Sequence, residues 1–97
     1  MRDVEDIKRA LSQHKTELRK RFKVKTIGVF GSYVRGDQKR QSDVDVLVEF
    51  EEPVGLFEFM DLEIYLTDLL GVKVDLVSKK ALKPHIGERI LKEVIMV

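Results

Sequence analysis

Two aspartates, Asp43 and Asp45, stand one residue apart in a valine-rich stretch, and Asp43 follows a glycine-serine pair by eleven residues. A third, Asp75, lies in another valine-rich run, 73–77. Side chains two apart on a strand share a face, so Asp43 and Asp45 would lie about 7 Å apart and repel unless a cation lay between them. Three unrelated surface aspartates are the alternative, but aspartate is disfavoured in strands.

Magnesium fits such a cluster because it prefers oxygen ligands and binds one or two carboxylates together with waters and substrate phosphates. If the two valine-rich strands are neighbours, Asp75 joins Asp43 and Asp45, and a second ion can bind. Two ions stabilise both the attacking and the leaving oxygen of an in-line displacement. The three aspartates therefore predict metal-dependent phosphoryl or nucleotidyl transfer.

The glycine-serine pair predicts a phosphate-binding turn. Gly31 allows a sharp turn and a close approach to a ligand, and Ser32 is expected to cap a short helix whose free amides bind anions. Arg35, one turn later, has the geometry to hold a phosphate with two hydrogen bonds. Ser42 precedes the first aspartate and is expected to orient Asp43 or bind the nucleotide. An ordinary capped turn, a solvated arginine and a strand-start serine are the alternatives for these positions.

Length and composition restrict the class of protein. A chain of 97 residues predicts one domain, 1–97. Cysteine is absent, and neither a membrane span nor a signal peptide is evident, which fits the cytoplasm. The formal net charge of +1 predicts no direct binding to nucleic acid.

The periodicity of apolar residues predicts an α+β fold. Three- and four-residue spacing indicates helices, and alternation indicates strands. We expect a two-layer arrangement, with a small mixed sheet of three to four strands, helices on one face and an open catalytic face. The predicted helices are 3–21, 56–70 and one that starts at Pro84; the predicted strands are 26–30, 43–50 and 72–77, with 94–97 either extending the last helix or forming a short strand.

Two further features concern helices. His14 lies on the apolar stripe of the first helix, where a packed, hydrogen-bonded histidine is expected rather than a metal ligand. The helix 56–70 carries apolar residues on more than one face. The excess predicts a second apolar surface, and hence a homodimer or a hetero-oligomer with a partner.

The segments Gly31–Gly36 and Ser42–Val48, followed by Asp75, closely resemble the polymerase-β-like nucleotidyltransferase superfamily, and the small size points to its minimal branch (MNT). The resemblance implies a nucleoside triphosphate, in particular ATP, and Mg²⁺, with two ions expected. It implies that Asp43 and Asp45 hold the metals. Asp75 would complete the site and help to activate the attacking hydroxyl, while the glycine-serine pair would hold the triphosphate.

MNT proteins are typically paired with a small helical HEPN protein, often an RNase toxin. The resemblance therefore implies that AMP is transferred from ATP to a tyrosine hydroxyl of that partner, which is thereby silenced. Larger superfamily members carry additional domains for the base and the acceptor, which this chain has no room for. The alternatives are a binding module that inhibits a toxin by occlusion and a transferase acting on a small molecule.

Overall fold

The computed structural model describes residues 3–97 and places five α-helices around a four-stranded mixed sheet. The predicted α+β fold is confirmed. The helices are α1 (Val4–Gln13), α2 (Lys15–Phe22), α3 (Ser32–Arg35), α4 (Leu56–Leu70) and α5 (Pro84–Glu93), and the strands are β1 (Val24–Phe30), β2 (Val44–Phe50), β3 (Val74–Ser78) and β4 (Ile95–Met96).

The strands lie in the order β3-β2-β1-β4. Strand β1 pairs antiparallel with both β2 and β4, whereas β2 and β3 are parallel. Parallel neighbours need a crossover connection, and α4 supplies it. Residues 94–97 do not extend α5. Ile95 and Met96 form β4, which lies at the edge of the sheet.

One face of the sheet forms the core with α1, α2 and α4, whereas α5 contributes no residue to the core cluster and lines a small cavity with Phe30 at the other face. Val44, Val46 and Val48 point to this face and are fully buried, together with residues of α1, α2 and α4. The opposite face carries the aspartates, but it is less open than expected. Phe30 and Leu47 are also buried there, outside the main core cluster.

The prediction of one continuous helix over 3–21 is wrong, because the helix breaks at His14 into α1 and α2. His14 donates a hydrogen bond from Nδ1 to the carbonyl oxygen of Ala10 at 2.8 Å and is half-buried, so the expected packed, satisfied histidine is confirmed.

The other element boundaries agree with the sequence within two residues. Helix α4 has the predicted bounds and ends at Gly71, whose φ of 68° is the left-handed conformation expected of a C-cap glycine. Helix α5 starts at Pro84 as predicted. Strand β1 begins two residues earlier than expected, at Val24, and β3 two residues later, at Val74. Within residues 3–97, no helix has the length and apolar character needed to cross a membrane.

Candidate active site

The parallel pairing of β2 and β3 brings two of the aspartates together. Asp45 and Asp75 are direct partners in the register of these strands, and neighbouring strands lie about 4.8 Å apart. Asp43 stands immediately before β2, whose first amide, that of Val44, donates to the carbonyl oxygen of Lys73 at 2.9 Å. All three aspartates therefore lie where β2 and β3 begin.

Asp45 is the carboxylate most affected by its neighbours. Burial raises its pKa, and repulsion from Asp75 and then Asp43 raises it further, to about 6. The positive charge of Arg35 opposes this shift. Ionised Asp45 is therefore held close to other negative charge in a half-buried position, an arrangement that a bound cation would relieve.

Within residues 3–97, no group of three or more His, Cys, Asp or Glu side chains is arranged to hold a metal ion. The arrangement still fits magnesium, which commonly takes one or two carboxylates and completes its shell with waters and substrate phosphates. The pair Asp45 and Asp75, with Asp43 nearby, supplies such a partial set. The side chains present are hard oxygen donors, with no thiolate among them.

The turn at Gly31 lies directly against Asp45. Gly31 is buried with φ of 81°, and a Cβ at this position would overlap Oδ2 of Asp45. The carbonyl oxygen of Gly31 accepts the amides of Val34 and Arg35 at 3.0 and 3.1 Å, which closes the turn into α3. Glycine is thus required here both for backbone conformation and for space.

Ser32 does not cap α3 as predicted. It is the first residue of the helix, and Gly31 occupies the capping position. Gly36 caps the end of α3 with φ of 78°. Ser32 is half-buried beside the turn that contacts Asp45, and its role in binding nucleotide stays a prediction.

Arg35 is held by two carboxylates. Its Nη1 donates to Oε1 of Glu93 at 2.8 Å, and its Nε donates to Oδ2 of Asp37 at 3.3 Å. A guanidinium has five N–H donors, so these two bonds orient the group and leave other donors for a phosphate.

Glu93, at the end of α5, is a site residue that the sequence analysis missed. Its Oε2 accepts the amide N–H of Gly31 at 2.8 Å, while its other oxygen binds Arg35. Burial opposes ionisation of Glu93, but the hydrogen bonds from Arg35 and Gly31 outweigh it and hold its pKa below the ordinary value. The only signal in the sequence is an acid in the last turn of a helix, where the helix dipole disfavours negative charge.

Ser42 organises the loop before β2. Its Oγ accepts the amide of Lys39 at 2.8 Å, its own amide donates to the carbonyl oxygen of Lys39 at 3.0 Å, and its carbonyl oxygen accepts the hydroxyl of Tyr33 at 3.5 Å. In this structure the hydroxyl of Ser42 thus fixes the approach to Asp43. Its predicted part in nucleotide binding remains a prediction.

Comparison with known proteins agrees with this geometry. The family model described as "Nucleotidyltransferase domain" matches residues 11–97. The chain belongs to this nucleotidyltransferase family. It is 55% identical over 97 residues to the protein adenylyltransferase MntA of Thermococcus cleftensis, with 100% of this chain and 98% of the relative covered. The chain is therefore a nucleotidyltransferase similar to protein adenylyltransferases, and the resemblance to the MNT branch is confirmed.

Two solved structures share the fold. One, described as a candidate minimal nucleotidyltransferase, has a TM-score of 0.79 and 40% identity, covering 96% of this chain and 94% of that chain. The other is a tri-AMPylated Shewanella oneidensis HEPN toxin in complex with an MNT antitoxin. Its matching chain has a TM-score of 0.68 and 20% identity, covering 93% of this chain and 70% of that chain. At that identity the second likeness supports the fold alone.

Proposed function

We propose that this nucleotidyltransferase uses Mg²⁺ and ATP to transfer AMP to a tyrosine hydroxyl of a HEPN-type toxin, and so acts as an antitoxin in the cytoplasm. The observation that carries the proposal is the pairing of Asp45 with Asp75, with the Gly31 turn packed against Asp45. This places paired carboxylates directly beside a turn suited to phosphate. Residues 1–97 would act as one catalytic domain.

The reaction that fits this site is an in-line displacement at the α-phosphorus of ATP. The acceptor hydroxyl oxygen forms a bond to phosphorus, the bond to the bridging oxygen breaks, and pyrophosphate leaves. Asp43 and Asp45 would hold Mg²⁺, which supplies charge neutralisation for the triphosphate when it is bound. Asp75 lies beside them and would assist removal of the hydroxyl proton.

The triphosphate would lie along the Gly31 turn. The small residues Gly31 and Ser32 permit close approach of phosphate oxygens to the backbone, and Arg35 would neutralise their charge. Ser42 would keep Asp43 in position from the other side. The 55% identical relative, named as a protein adenylyltransferase, supports a protein acceptor. The MNT antitoxin that shares this fold is bound to an AMPylated HEPN toxin, and a partner of that kind is consistent with the shared fold.

The test is transfer of label from α-labelled ATP to a co-expressed HEPN-type protein in the presence of Mg²⁺. We expect label on the partner with the unchanged chain, and loss of at least a hundredfold with the double variant Asp43→Asn/Asp45→Asn, because the metal-binding charge is removed. Asp6→Asn, on α1 beyond the core, is the matched control and should retain transfer.

Occlusion predicts a different result. A stable complex that silences the toxin without label, and equally well with the Asp43→Asn/Asp45→Asn variant, would replace the enzymatic proposal with simple binding. Mapping the labelled residue by mass spectrometry tests the acceptor. Label on a residue other than tyrosine would retain the transfer but overturn the tyrosine assignment.

A further inference from the structure

The outward face of α4 exposes four large apolar side chains, which we call the α4 stripe: Leu56, Phe57, Met60 and Ile64. Their exposed fractions are 70%, 80%, 45% and 58%. Their spacing places Phe57, Met60 and Ile64 along one side of the helix, three and four residues apart. A contiguous exposed apolar surface of this kind is typical of an interaction site.

The charges beside the stripe are of one sign. Helix α4 contains four acidic residues and no lysine or arginine. Glu63 is used internally, because its Oε2 accepts the amide of Leu76 at 3.1 Å. The remaining acids, Glu58, Asp61 and Asp68, line a cavity of about 580 Å³ together with Ile64 of the stripe.

The basic and aromatic side chains that complete this cavity already interact with neighbouring residues of the same chain. They are Arg21 and Phe22 of α2, with Tyr65 of α4. Arg21 binds Glu17 at 3.3 Å, and its guanidinium lies 5.0 and 5.4 Å from the ring centres of Phe22 and Tyr65. Arg21 is therefore engaged within its own helix and with these rings.

Lys23 forms an ion pair with Glu52 and also attracts Glu58. Within residues 3–97, Asp61 and Asp68 form no ion pair, so these two acids keep unbalanced negative charge at the cavity.

We propose that the α4 stripe and its flanking acids form the docking surface for a basic amphipathic helix of the partner protein. Apolar side chains of such a helix would cover Phe57, Met60 and Ile64, and its lysines or arginines would meet Glu58 and Asp61, as in other helix-in-groove complexes. The identity of the partner as a HEPN-type protein rests on the proposed function, whereas the surface and its charge preference do not.

A second copy of this chain is a poorer occupant through the same helix. Two α4 helices packed face to face would oppose acid to acid, which is destabilising. Helix α5 of a second copy is another basic helix that could occupy this surface. It carries Lys83 at its N-cap and Arg89 and Lys92 along its length, and its Ile86 and Leu91 are exposed. Pairing of α5 with α4 of another copy would form a ring or an open chain of molecules, and the mass in solution detects either.

The stripe lies on the far side of the molecule from the aspartates. Helix α4 packs through Leu62, Leu66 and Leu70 on the core face of the sheet, whereas Asp45 points to the other face. Docking and nucleotidyl transfer are therefore separable by substitution. A partner helix bound to α4 would lie on the far side of the sheet from the aspartates. The acceptor hydroxyl would therefore have to come from another part of that partner or from another partner subunit.

The test measures binding of two fluorescent helical peptides, each about five turns long, to the full chain by anisotropy. One peptide combines leucine with lysine, and the other has the same pattern with glutamate. We expect the basic peptide to bind, and Met60→Ser/Ile64→Ser, which removes apolar contact without changing the charge, to weaken its binding by about tenfold or more. Ile86→Ser/Leu91→Ser, which substitutes similarly exposed residues of α5, is the matched control and should change affinity less than twofold.

Charge reversal gives the second measurement. Glu58→Lys/Asp61→Lys should lose the basic peptide and gain the acidic one, and because both positions are exposed the fold should persist. Equal binding of the two peptides, no effect of either α4 variant, or light scattering that shows self-association removed by the α5 variant would each overturn the proposal. None of these measurements involves ATP, so failure of the proposed transfer would leave the test intact.

Discussion

The backbone at Gly31 lies so close to Asp45 that this position can accept no side chain without moving the carboxylate. We expect Gly31→Ala to displace Asp45 and to lower label transfer by at least a hundredfold, since small displacements of reacting groups strongly reduce rates. The backbone of Gly31, with φ of 81° and ψ of −153°, lies in a region that essentially only glycine adopts, so alanine adds about 1–3 kcal/mol of backbone strain. Transfer of α-labelled AMP, with thermal unfolding to confirm a folded chain, is the measurement.

Gly36→Ala is the matched control for this substitution. Gly36 also has a positive φ, of 78°, but a Cβ at this position would meet no atom within 4 Å. Its ψ of 15° places it in the left-handed helical region, so Gly36→Ala should cost about 1–2 kcal/mol of stability while retaining most of the transfer activity. Equal loss of activity in both variants would show that backbone strain, rather than contact with Asp45, is responsible.

The raised pKa of Asp45 links the site to stability. Its pKa is about 6 against an ordinary 3.8, so the folded state binds this proton more tightly than the unfolded state. The resulting stabilisation is complete below pH 3.8 and is lost as the pH rises through about 6. At neutral pH and without metal, the ionised carboxylate of Asp45 therefore destabilises the fold.

We expect Asp45→Asn to raise the free energy of unfolding at pH 7 in EDTA by about 1 kcal/mol, after the full shift is discounted for solvent screening of a half-buried group. The difference between variant and unchanged chain should shrink towards pH 4. Urea unfolding at a series of pH values measures both. Adding Mg²⁺ should stabilise the unchanged chain more than the variant, and a variant that is less stable at pH 7 would contradict this account.

The candidate site residues that belong to a local sequence pattern were predictable, whereas Glu93 was not. Gly31, Asp43 and Asp45 lie within fifteen consecutive residues and have recognisable spacing. Glu93 joins the site only through the fold, since its partners Gly31 and Arg35 precede it by 62 and 58 residues. No single-chain pattern couples positions so far apart.

At the scale of elements, the C-terminal segment connects the Gly31 turn to the sheet. Helix α5 carries Glu93, and β4 follows it immediately and pairs with β1 at Gly28. The pairing is close, because a Cβ on Gly28 would lie 2.8 Å from Sδ of Met96. Glu93 is thus held in place by α5 and β4 on either side of it, and through Glu93 so is Arg35.

We expect Glu93→Ala to raise the KM for ATP by about tenfold, a loss typical of one charged hydrogen-bonding partner, with a smaller change in kcat. The reason is that Glu93 acts through the orientation of Arg35 and Gly31. In an Arg35→Ala background, Glu93→Ala should have little further effect. Binding of a non-hydrolysable ATP analogue by calorimetry gives the same comparison without turnover. Fully additive losses would indicate that Glu93 acts independently of Arg35.

The helices and strands were predictable where the apolar periodicity and the helix-terminating or turn residues agree. Helix α4 lies between Gly55 and Gly71, and both of its predicted ends are correct. The break at His14 was not predictable because the apolar spacing of Ile7, Leu11 and Leu18 continues across it. All three side chains are buried in the core although the backbone between them is not helical throughout, so burial alone does not report the interruption.

At the scale of the whole molecule, the sheet separates the candidate active site from the proposed docking surface. One face of the sheet presents the aspartates and the Gly31 turn, and the other is covered by α4, whose outer side is the exposed α4 stripe. The chain measures 33 × 30 × 20 Å. A partner helix lying along α4 is separated from the aspartates by the sheet.

This separation predicts that each face can be inactivated alone. Gly31→Ala should weaken binding of a non-hydrolysable ATP analogue by about tenfold or more, since the displaced carboxylate disturbs the nucleotide site, and leave affinity for the basic helical peptide unchanged. Met60→Ser/Ile64→Ser should do the reverse, because both residues lie on the outer side of α4, away from the sheet face that carries Asp45. Calorimetry with the analogue and anisotropy with the peptide, run on both variants, measure all four affinities. If either variant lowered both affinities while its melting temperature was unchanged, the two faces would be coupled through the sheet, and a shared surface would have to replace the separate ones inferred from the fold.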